Sequence, residues 1–318
     1  GVKKTERIAV VSENRYELFA LMMAAAQLGA QVLVLPTNIT PSEAKQVVKN
    51  SHTKVMVVET IASHTAVRNW IGHVGELEHV FCLEQQQGED SYAISINLAQ
   101  EALEQSKIEL GEDRSTSPVP VVTDINSDET ALICFTAGTT GPPKGVMLSH
   151  KSLVASISST AAGLGEAFTF NDLFASLLSW TNVAGITGEL FQVIIKGASI
   201  AIPPDMREGY VDLPTINPTV LVSVALPLVR AYNNIFDDIM GAGVVTKQLY
   251  HATLGSLTEA RTNYQKPGMT WQVMSQALLG KYKAQFGDNL RCMVVVGQGF
   301  HRDHLSLYHD LDLYVVQT

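Results

Sequence analysis

The fold is decided by one segment, Phe135-Thr-Ala-Gly-Thr-Thr-Gly-Pro-Pro-Lys-Gly-Val-Met-Leu-Ser-His150. An apolar run at 130–135 leads into it and predicts a β-strand, and the composition of residues 151–161 predicts a helix after it. Glycines in the segment let main-chain N–H groups approach an anion closely, and the threonines supply hydroxyls. The sequence therefore predicts a phosphate-binding loop set between a strand and a helix.

The loop carries a single lysine, Lys144. Its positive charge can follow phosphate charge as that charge moves from ATP to pyrophosphate, and Pro142 and Pro143 restrict the chain beside it. The Walker loop needs Gly-Lys followed by Ser or Thr, whereas Pro143 precedes Lys144 and Gly145 follows it. The pattern therefore disfavours a kinase-like or GTPase-like site. A Gly/Thr-rich surface turn with a solvated lysine is the plainer alternative.

Strand-like and helix-like segments alternate on both sides of this loop. The other apolar runs that predict strands are 7–11, 31–35, 54–58, 79–83, 173–178, 198–202, 219–224, 290–296 and 313–318. The other segments that predict helices are 14–28, 41–48, 227–240 and 270–286. Such alternation, with strands that are apolar throughout, predicts an α/β fold of mostly parallel sheets covered by helices.

A polar, Pro-rich stretch within 105–128 interrupts the alternation and includes Ser115-Thr-Ser-Pro-Val-Pro120. It predicts a linker or surface loop, and a long loop within one domain is an equal alternative. On the first interpretation, residues 1–124 form one α/β lobe. Residues 125–318 then form a second α/β lobe that carries the phosphate-binding loop.

Composition excludes some classes of function. Hydrophobic residues make up 46% and charged residues 17% of the chain, which suits a large buried core. A net charge of −9 without a basic run argues against a nucleic-acid partner. Cys134 and Cys292 lie in apolar runs and Cys82 is far from both, which predicts buried free thiols and a reducing compartment, the cytoplasm. The early apolar stretch 18–28 is too short to span a bilayer; peripheral membrane contact and oligomeric state stay open.

The opening segment closely resembles the phosphate-binding loop of the adenylate-forming (AMP-binding) superfamily, whose usual form is aromatic-Thr-Ser-Gly-Thr-Thr-Gly-x-Pro-Lys-Gly-Val. Ala137 stands where that form has Ser. Asn217-Pro-Thr-Val-Leu-Val-Ser-Val224 resembles the segment before that family's substrate-pocket helix. The resemblance covers nearly the whole chain, and the latter half is most similar to the long-chain fatty acyl-CoA synthetases.

The resemblance implies ATP-dependent activation of a small-molecule carboxylic acid, here a fatty acid, to acyl-AMP and then to acyl-CoA. ATP, Mg²⁺ and coenzyme A are the implied cofactors. Lys144 is the implied catalytic residue, and Thr140 is an implied magnesium ligand. The implied ATP-binding residues are Thr136, Ala137, Gly138, Thr139, Thr140, Gly141, Lys144, Gly297, Gln298 and Gly299.

Two segments depart from the family pattern. Leu177-Leu-Ser-Trp-Thr181 stands where the family usually has Leu-Pro-x-aromatic-His, so Trp180 and Thr181 are the implied substrate contacts and Thr181 replaces the His. Val296-Gly-Gln-Gly-Phe300 stands where the family has a Gly-Gly-Ala-Pro-like turn beside adenine. The exchanges fit either subfamily variation or a degenerate site. A non-catalytic protein that binds a nucleotide or acyl group, or acts as a scaffold, is therefore the alternative.

The resemblance also predicts that the chain is a fragment. Its terminal strand, 314–318, resembles the one that runs into the family's aromatic-Gly-x-Thr-Glu motif, whose Glu helps to hold magnesium. That motif, a later ribose-binding Asp and a C-terminal domain with its catalytic Lys do not occur in these 318 residues. We therefore expect the fragment by itself to make little or no acyl-CoA.

Overall fold

A computed structural model describes residues 2–60, 67, 77–83, 94–95, 124–136, 143–165, 168–206, 208–244, 247–248, 250, 277 and 279–317. The chain divides into two compact units. The first comprises Gly1–Ser156 and Trp180–Val183, and the second comprises Ile157–Ser179 and Ala184–Thr318. Each unit is built on its own β-sheet.

The first unit contains a seven-stranded sheet with the strand order β5-β4-β3-β1-β2-β6-β7. Its strands are Arg7–Val11 (β1), Gln31–Leu35 (β2), Val55–Val58 (β3), His79–Cys82 (β4), Ile94–Ser95 (β5), Thr130–Thr136 (β6) and Lys144–Ser149 (β7). Neighbouring strands pair in parallel, except that β6 and β7 pair antiparallel. The helices that begin in this unit are Tyr16–Leu28 (α1), Pro41–Asn50 (α2) and His150–Leu164 (α3).

Local signals in the sequence set the ends of α1 and α2. Gly29 ends α1 in the left-handed conformation, with φ of +66°, which glycine adopts without steric cost. Thr40 caps α2: its hydroxyl oxygen accepts the Glu43 N–H, and the Thr40 N–H donates to the Glu43 carboxylate at 2.9 Å. Pro41 occupies the first turn, where no intrahelical N–H bond is lost.

The second unit contains a five-stranded, all-parallel sheet with the order β12-β11-β10-β8-β9. Its strands are Leu173–Ala175 (β8), Ser199–Ala201 (β9), Val220–Val224 (β10), Cys292–Val296 (β11) and Tyr314–Gln317 (β12). One helical segment joins β8 to β9: it is α-helical over Val183–Gly185 (α4), π-helical over Ile186–Leu190 and α-helical over Phe191–Lys196 (α5). The remaining helices are Leu213–Ile216 (α6), Ala225–Gly241 (α7), the 3₁₀ turn Ala284–Phe286 and Arg302–Asp310 (α8).

Both faces of this second sheet are buried. Along β11, Met293 and Val295 pack in one apolar cluster with Leu228 of α7 and Leu307 of α8. The alternate residues of the strand, with Val294 among them, pack in a second cluster that includes Leu164 and Phe168. Successive side chains of a strand point to opposite faces, so a strand that is apolar throughout is the pattern of a sheet covered on both sides.

The structure confirms the predicted fold class, and it also corrects local details. The loop lies between two strands, because residues 144–149 form β7 and pair antiparallel with β6 before α3 begins. The strand predicted at 173–178 ends at Ala175, since the backbone amides of Leu177 and Leu178 donate to a side-chain carboxylate instead of a neighbouring strand. Cys134 and Cys292 are free and buried, as predicted, and so is Cys82.

The first unit extends to Ser156, whereas the lobe boundary was predicted at 124/125. Pairing of β6 with β2 carries the 130–149 region into the first sheet. Most of the predicted linker (105–123), most of the predicted helix at 270–286 and residues 137–142 of the loop lie outside the described residues.

Candidate functional site

An antiparallel hairpin holds both ends of the predicted phosphate-binding loop. Thr136, the last residue of β6, pairs with Lys144, the first residue of β7, and Phe135 pairs with Gly145. The Lys144 side chain is exposed. The hairpin therefore fixes where the loop leaves and rejoins the sheet. The implied ATP-binding residues Ala137, Gly138, Thr139, Thr140 and Gly141 lie outside the described residues.

Gly145 has a steric role in this hairpin. A Cβ atom at this position would lie 3.0 Å from the Phe135 ring and 3.0 Å from the Ile133 side chain. Gly145 belongs to the segment predicted as a phosphate-binding loop, but it lies within β7. Its missing side chain lets the Phe135 ring lie across the strand next to Lys144.

Trp180, an implied substrate contact, is buried at 1% exposure. Its backbone N–H donates to Asn14 Oδ1 at 2.8 Å, and Asn14 is itself 4% exposed. Thr181, the next residue, is half-buried. Asn14 follows β1 by three residues, so a side chain beyond the end of a first-unit strand fixes the backbone at Trp180. Asn14 was not among the predicted site residues, although a polar residue soon after an apolar strand is a usable signal.

Glu189 is the second residue that sequence reasoning missed. It is 0% exposed, and its carboxylate accepts hydrogen bonds from Ser176 Oγ and from the backbone N–H groups of Leu177 and Leu178. The sequence contains one sign of it: Glu189 is the lone charged residue in the otherwise uncharged stretch 183–195. Buried carboxylates require such donors, because an unpaired buried charge is costly.

The turn that follows β11 contains the implied adenine-side residues. Gly297 has φ of +84°, a conformation that residues with a Cβ atom rarely adopt. Gln298 and Gly299 are exposed beyond it, and Phe300 stacks on Tyr308 with ring centroids 5.5 Å apart. The structure therefore brings Gly297, Gln298 and Gly299 together at the carboxyl end of a parallel strand, the edge at which α/β proteins bind ligands.

Gln317 contacts this turn, and no pattern in the sequence pointed to that contact. Its side-chain Oε1, at the end of β12, accepts the Phe300 N–H at 2.8 Å. A Cβ atom at Gly299 would lie 2.4 Å from the same oxygen. With any larger residue at 299, the Gln317 side chain would have to move from this position.

The described residues contain no group of three His, Cys, Asp or Glu side chains placed to hold a metal ion. Thr140, the implied magnesium ligand, lies outside the described residues, and magnesium is treated below as part of the MgATP substrate. Among the helices of the described ranges, none has the length and apolar character needed to cross a membrane.

Comparison with known proteins decides the family. The sequence model of the AMP-binding enzyme family matches residues 1–310. The chain belongs to this family. Among curated AMP-binding relatives, long chain acyl-CoA synthetase 7 of Arabidopsis thaliana is 30% identical over 171 residues, which cover 52% of this chain and 23% of that protein. 4-Coumarate–CoA ligase 3 of the same plant is 24% identical over 234 residues, covering 73% of this chain and 38% of that protein.

Solved structures of other proteins share the fold. The A-PCP didomain of carboxylic acid reductase from Segniliparus rugosus, in complex with AMP, has a TM-score of 0.68 and 17% identity, covering 99% of this chain and 42% of that one. The N-terminal domain of FACL13 from Mycobacterium tuberculosis has a TM-score of 0.64 and 16% identity, covering 100% of this chain and 63% of that one. The matched segments cover 23% and 38% of the two curated relatives named above, so this chain spans well under half of their length.

Proposed function

We propose that this AMP-binding chain forms the nucleotide- and carboxylate-binding part of an acid–thiol ligase, an acyl-CoA synthetase. The observation that supports the proposal most directly is the β6–β7 hairpin, which sets Lys144 opposite Thr136 at the two ends of the Gly/Thr-rich loop. Family membership supplies the reaction class. Relatives named as long-chain acyl-CoA synthetases favour a fatty acid as the substrate.

In the proposed reaction, an oxygen of the substrate carboxylate attacks the α-phosphorus of MgATP. The bond from that phosphorus to the bridging oxygen breaks, and the electron pair leaves with pyrophosphate. The sulfur of coenzyme A then attacks the acyl carbon of acyl-AMP and releases AMP. Lys144 would stabilise charge that grows on pyrophosphate, an interaction stronger in the transition state than with bound ATP.

A non-catalytic protein that binds a nucleotide or acyl group is the second candidate. The feature that favours it is Thr181, which stands at the family's usual His and whose hydroxyl cannot carry the charge of an imidazolium. Both candidates use the turn at Gly297 and the loop if the non-catalytic protein binds a nucleotide. They differ in whether a carboxylate stimulates exchange of pyrophosphate into ATP.

The test is ATP–pyrophosphate exchange by the natural protein that contains this chain, with a panel of short, aromatic and long-chain carboxylates. We expect exchange with one carboxylate class and trapping of its acyl-AMP by hydroxylamine. Nucleotide binding without exchange for any carboxylate would favour the non-catalytic candidate.

Lys144→Ala should slow single-turnover acyl-AMP formation by roughly a hundredfold or more while weakening ATP binding much less, as for other lost charge-stabilising donors. Lys151→Ala is the matched control, since Lys151 is an exposed lysine seven residues further on that pairs with Asp128 at 3.6 Å. An unchanged adenylation rate in Lys144→Ala at saturating ATP would remove Lys144 from the mechanism.

A further inference from the structure

A cavity of about 330 Å³ lies within the first unit, between helix α2 and the β6–β7 hairpin. Its apolar wall contains Val47 of α2, Ile133 and Phe135 of β6, and Met147 of β7. The volume is at the lower end of the range for small-molecule pockets, whose linings are mostly apolar. No step of the proposed reaction uses these four side chains.

The cavity lies on the opposite face of the sheet from the Lys144 side chain. Phe135 pairs with Gly145 and Ile133 pairs with Met147, and residues paired directly across two strands point to the same face. Successive residues of a strand alternate between faces, so Lys144 points away from this set. A molecule in the cavity would therefore lie against Phe135 and Met147 without contacting the Lys144 side chain.

A guanidinium lies at one end of the cavity. Arg7, the first residue of β1, is half-buried and lines it. Its Nε donates to Gln31 Oε1 at 2.9 Å and its Nη1 to the Ser51 carbonyl oxygen at 2.7 Å, and both acceptors are neutral. The neighbouring carboxylate of Glu6 pairs with Lys54 instead, and none of the described residues forms an ion pair with Arg7. Since a guanidinium has five N–H donors, neutral groups orient Arg7 and leave donors and charge for an anion.

The cavity is elongated along β6. Strand pairing places Arg7 about level with residue 131, and Pro143, which also lines the cavity, lies beyond the level of Thr136. The residue steps from 131 to 136 span about 16 Å along a strand. This span suits a medium-chain molecule better than a short one such as acetate.

We propose that this cavity binds a medium-chain amphiphilic carboxylate, with the charged group on Arg7 and the apolar chain along Phe135 and Met147. The planar fork of a guanidinium matches a carboxylate in geometry, and its single charge matches that of one carboxylate. The apolar wall removes the chain from water. The inference goes beyond the proposed function, because binding on this face of the sheet requires no adenylation.

Titration with decanoate, below the concentration at which it forms micelles, tests the proposal in the natural protein that contains this chain. The readout is the NMR signal of the Met147 methyl group, assigned with Met147→Leu. We expect decanoate to shift this signal to saturation. Acetate has no chain and decanol has no charge, so both should bind at least tenfold more weakly. An unmoved Met147 signal, or equal binding of decanol or acetate, would overturn the proposal.

Arg7→Gln should weaken decanoate binding at the Met147 signal roughly ten- to hundredfold, as for a lost hydrogen bond between charged groups. Lys54→Gln is the matched control, since Lys54 is a nearby cation that pairs with Glu6 and Glu78 and does not line the cavity. Lys54→Gln should leave the affinity unchanged. Equal losses in the two variants would mean general attraction of anions and would contradict recognition by Arg7.

Arg7 also bonds the carbonyl group of Ser51 at the end of α2. A purely structural Arg7 would lower Tm when replaced and leave the affinity of the folded protein for decanoate unchanged. If Arg7→Gln does not fold, Arg7→Lys keeps the charge but loses the planar fork. It should weaken decanoate binding severalfold, and an unchanged affinity in Arg7→Lys would refute recognition by the fork.

Met147→Gln and Val146→Gln test where the apolar chain lies. Both residues are exposed, at 65% and 43%, so glutamine should be tolerated at either position. They are neighbours in β7 and point to opposite faces. Calorimetry should show severalfold weaker decanoate binding in Met147→Gln and no change in Val146→Gln, and equal effects would contradict the placement.

The outcomes for this cavity and for the proposed function are separable. A decanoate-dependent Met147 signal in a protein without pyrophosphate exchange would refute only the proposed function. Pyrophosphate exchange in a protein whose Met147 signal ignores decanoate would refute only the cavity.

Discussion

The conformation of the turn after β11 depends on two glycines and one glutamine side chain. Gly297 supplies a positive φ, and Gly299 leaves the space into which the Gln317 side chain reaches to accept the Phe300 N–H. The two glycines thus act for different reasons, one through its backbone angle and the other through the side chain it lacks. Alanine at 297 would strain the backbone, and alanine at 299 would displace the Gln317 side chain.

Gly299→Ala should therefore weaken nucleotide binding in the natural protein. Its methyl group would overlap Gln317 Oε1 and break the bond to Phe300. We expect KM for ATP to rise roughly tenfold or more if the displaced turn misplaces the nucleotide. Titration with ATP and a thermal shift with AMP measure the effect.

Gly163→Ala serves as the control for Gly299→Ala. Gly163 lies in α3, and nothing lies within 4 Å of a Cβ atom placed there. Alanine at a helical glycine should stabilise the protein by up to about 1 kcal/mol and leave KM for ATP unchanged. If both variants bind ATP like the unmodified protein, Gln317 does not hold a nucleotide-binding turn.

At the scale of elements, β8 is a short strand with a buried carboxylate at each end. Glu189 binds the residues that follow it, and Asp172 binds the residues around its beginning. The Asp172 carboxylate accepts from Thr219 at 2.7 Å and from Arg291 at 2.6 Å, and these two residues precede β10 and β11. Asp172 thus joins the amino ends of three parallel strands.

The stability of this junction should depend on pH. Burial raises the pKa of Asp172, but the hydrogen bonds from Arg291, Thr219 and Thr169 outweigh burial and hold the pKa below its usual value. A carboxyl with a lowered folded-state pKa stabilises the fold fully above its unfolded-state pKa of about 4. This stabilisation is lost as the pH falls through the folded-state pKa.

Asp172→Asn should accordingly lower the free energy of unfolding by about 1–3 kcal/mol at neutral pH, the range for a lost buried bond to a charged group. The difference from the unmodified protein should shrink as the pH falls below about 4, where both states of Asp172 become protonated. Urea unfolding at a series of pH values measures it. A difference that is constant from pH 7 to pH 3 would show that ionised Asp172 contributes nothing.

At the scale of the whole molecule, the reactivity of the three cysteines of this chain indicates whether each sheet is folded. Cys82 and Cys134 lie in the first sheet and Cys292 in the second, and all three are free and buried. Burial raises the pKa of Cys134 to about 12 and that of Cys292 to about 11. Because the thiolate is the reactive form, these thiols should be inert in the folded protein.

At pH 8, Cys82, Cys134 and Cys292 of the native protein should therefore react with an aromatic disulfide reagent no faster than the protein unfolds, and all three should react at once in guanidinium. Measuring the release of the chromophore with and without denaturant tests this. Rapid modification of one native thiol would mean that the sheet containing it opens locally. Single Cys→Ala variants would identify which sheet that is.

The strongest sequence predictions were those with a local cause. Gly29 at the end of α1 and Thr40 at the start of α2 are local signals of this kind, because each acts on residues at most a few positions away. The apolar residues of β10, which Ser223 interrupts, and the continuous apolar run of β11 reflect burial on both faces of a parallel sheet. The strand β7 was missed, because residues 144–149 become a strand only by pairing with β6.

By itself, the sequence determined the α/β fold class, most strands and helices, and the loop around Lys144 that led to the AMP-binding family, because caps, apolar runs and contiguous motifs are properties of neighbouring residues. Only the tertiary structure showed that Glu189 holds Ser176–Leu178, that Gln317 holds the turn at Gly299, and that Asn14 holds Trp180. Asn14 and Trp180 are 166 positions apart. Such pairs depend on how strands and helices pack, and the sequence pattern near either partner does not specify the other.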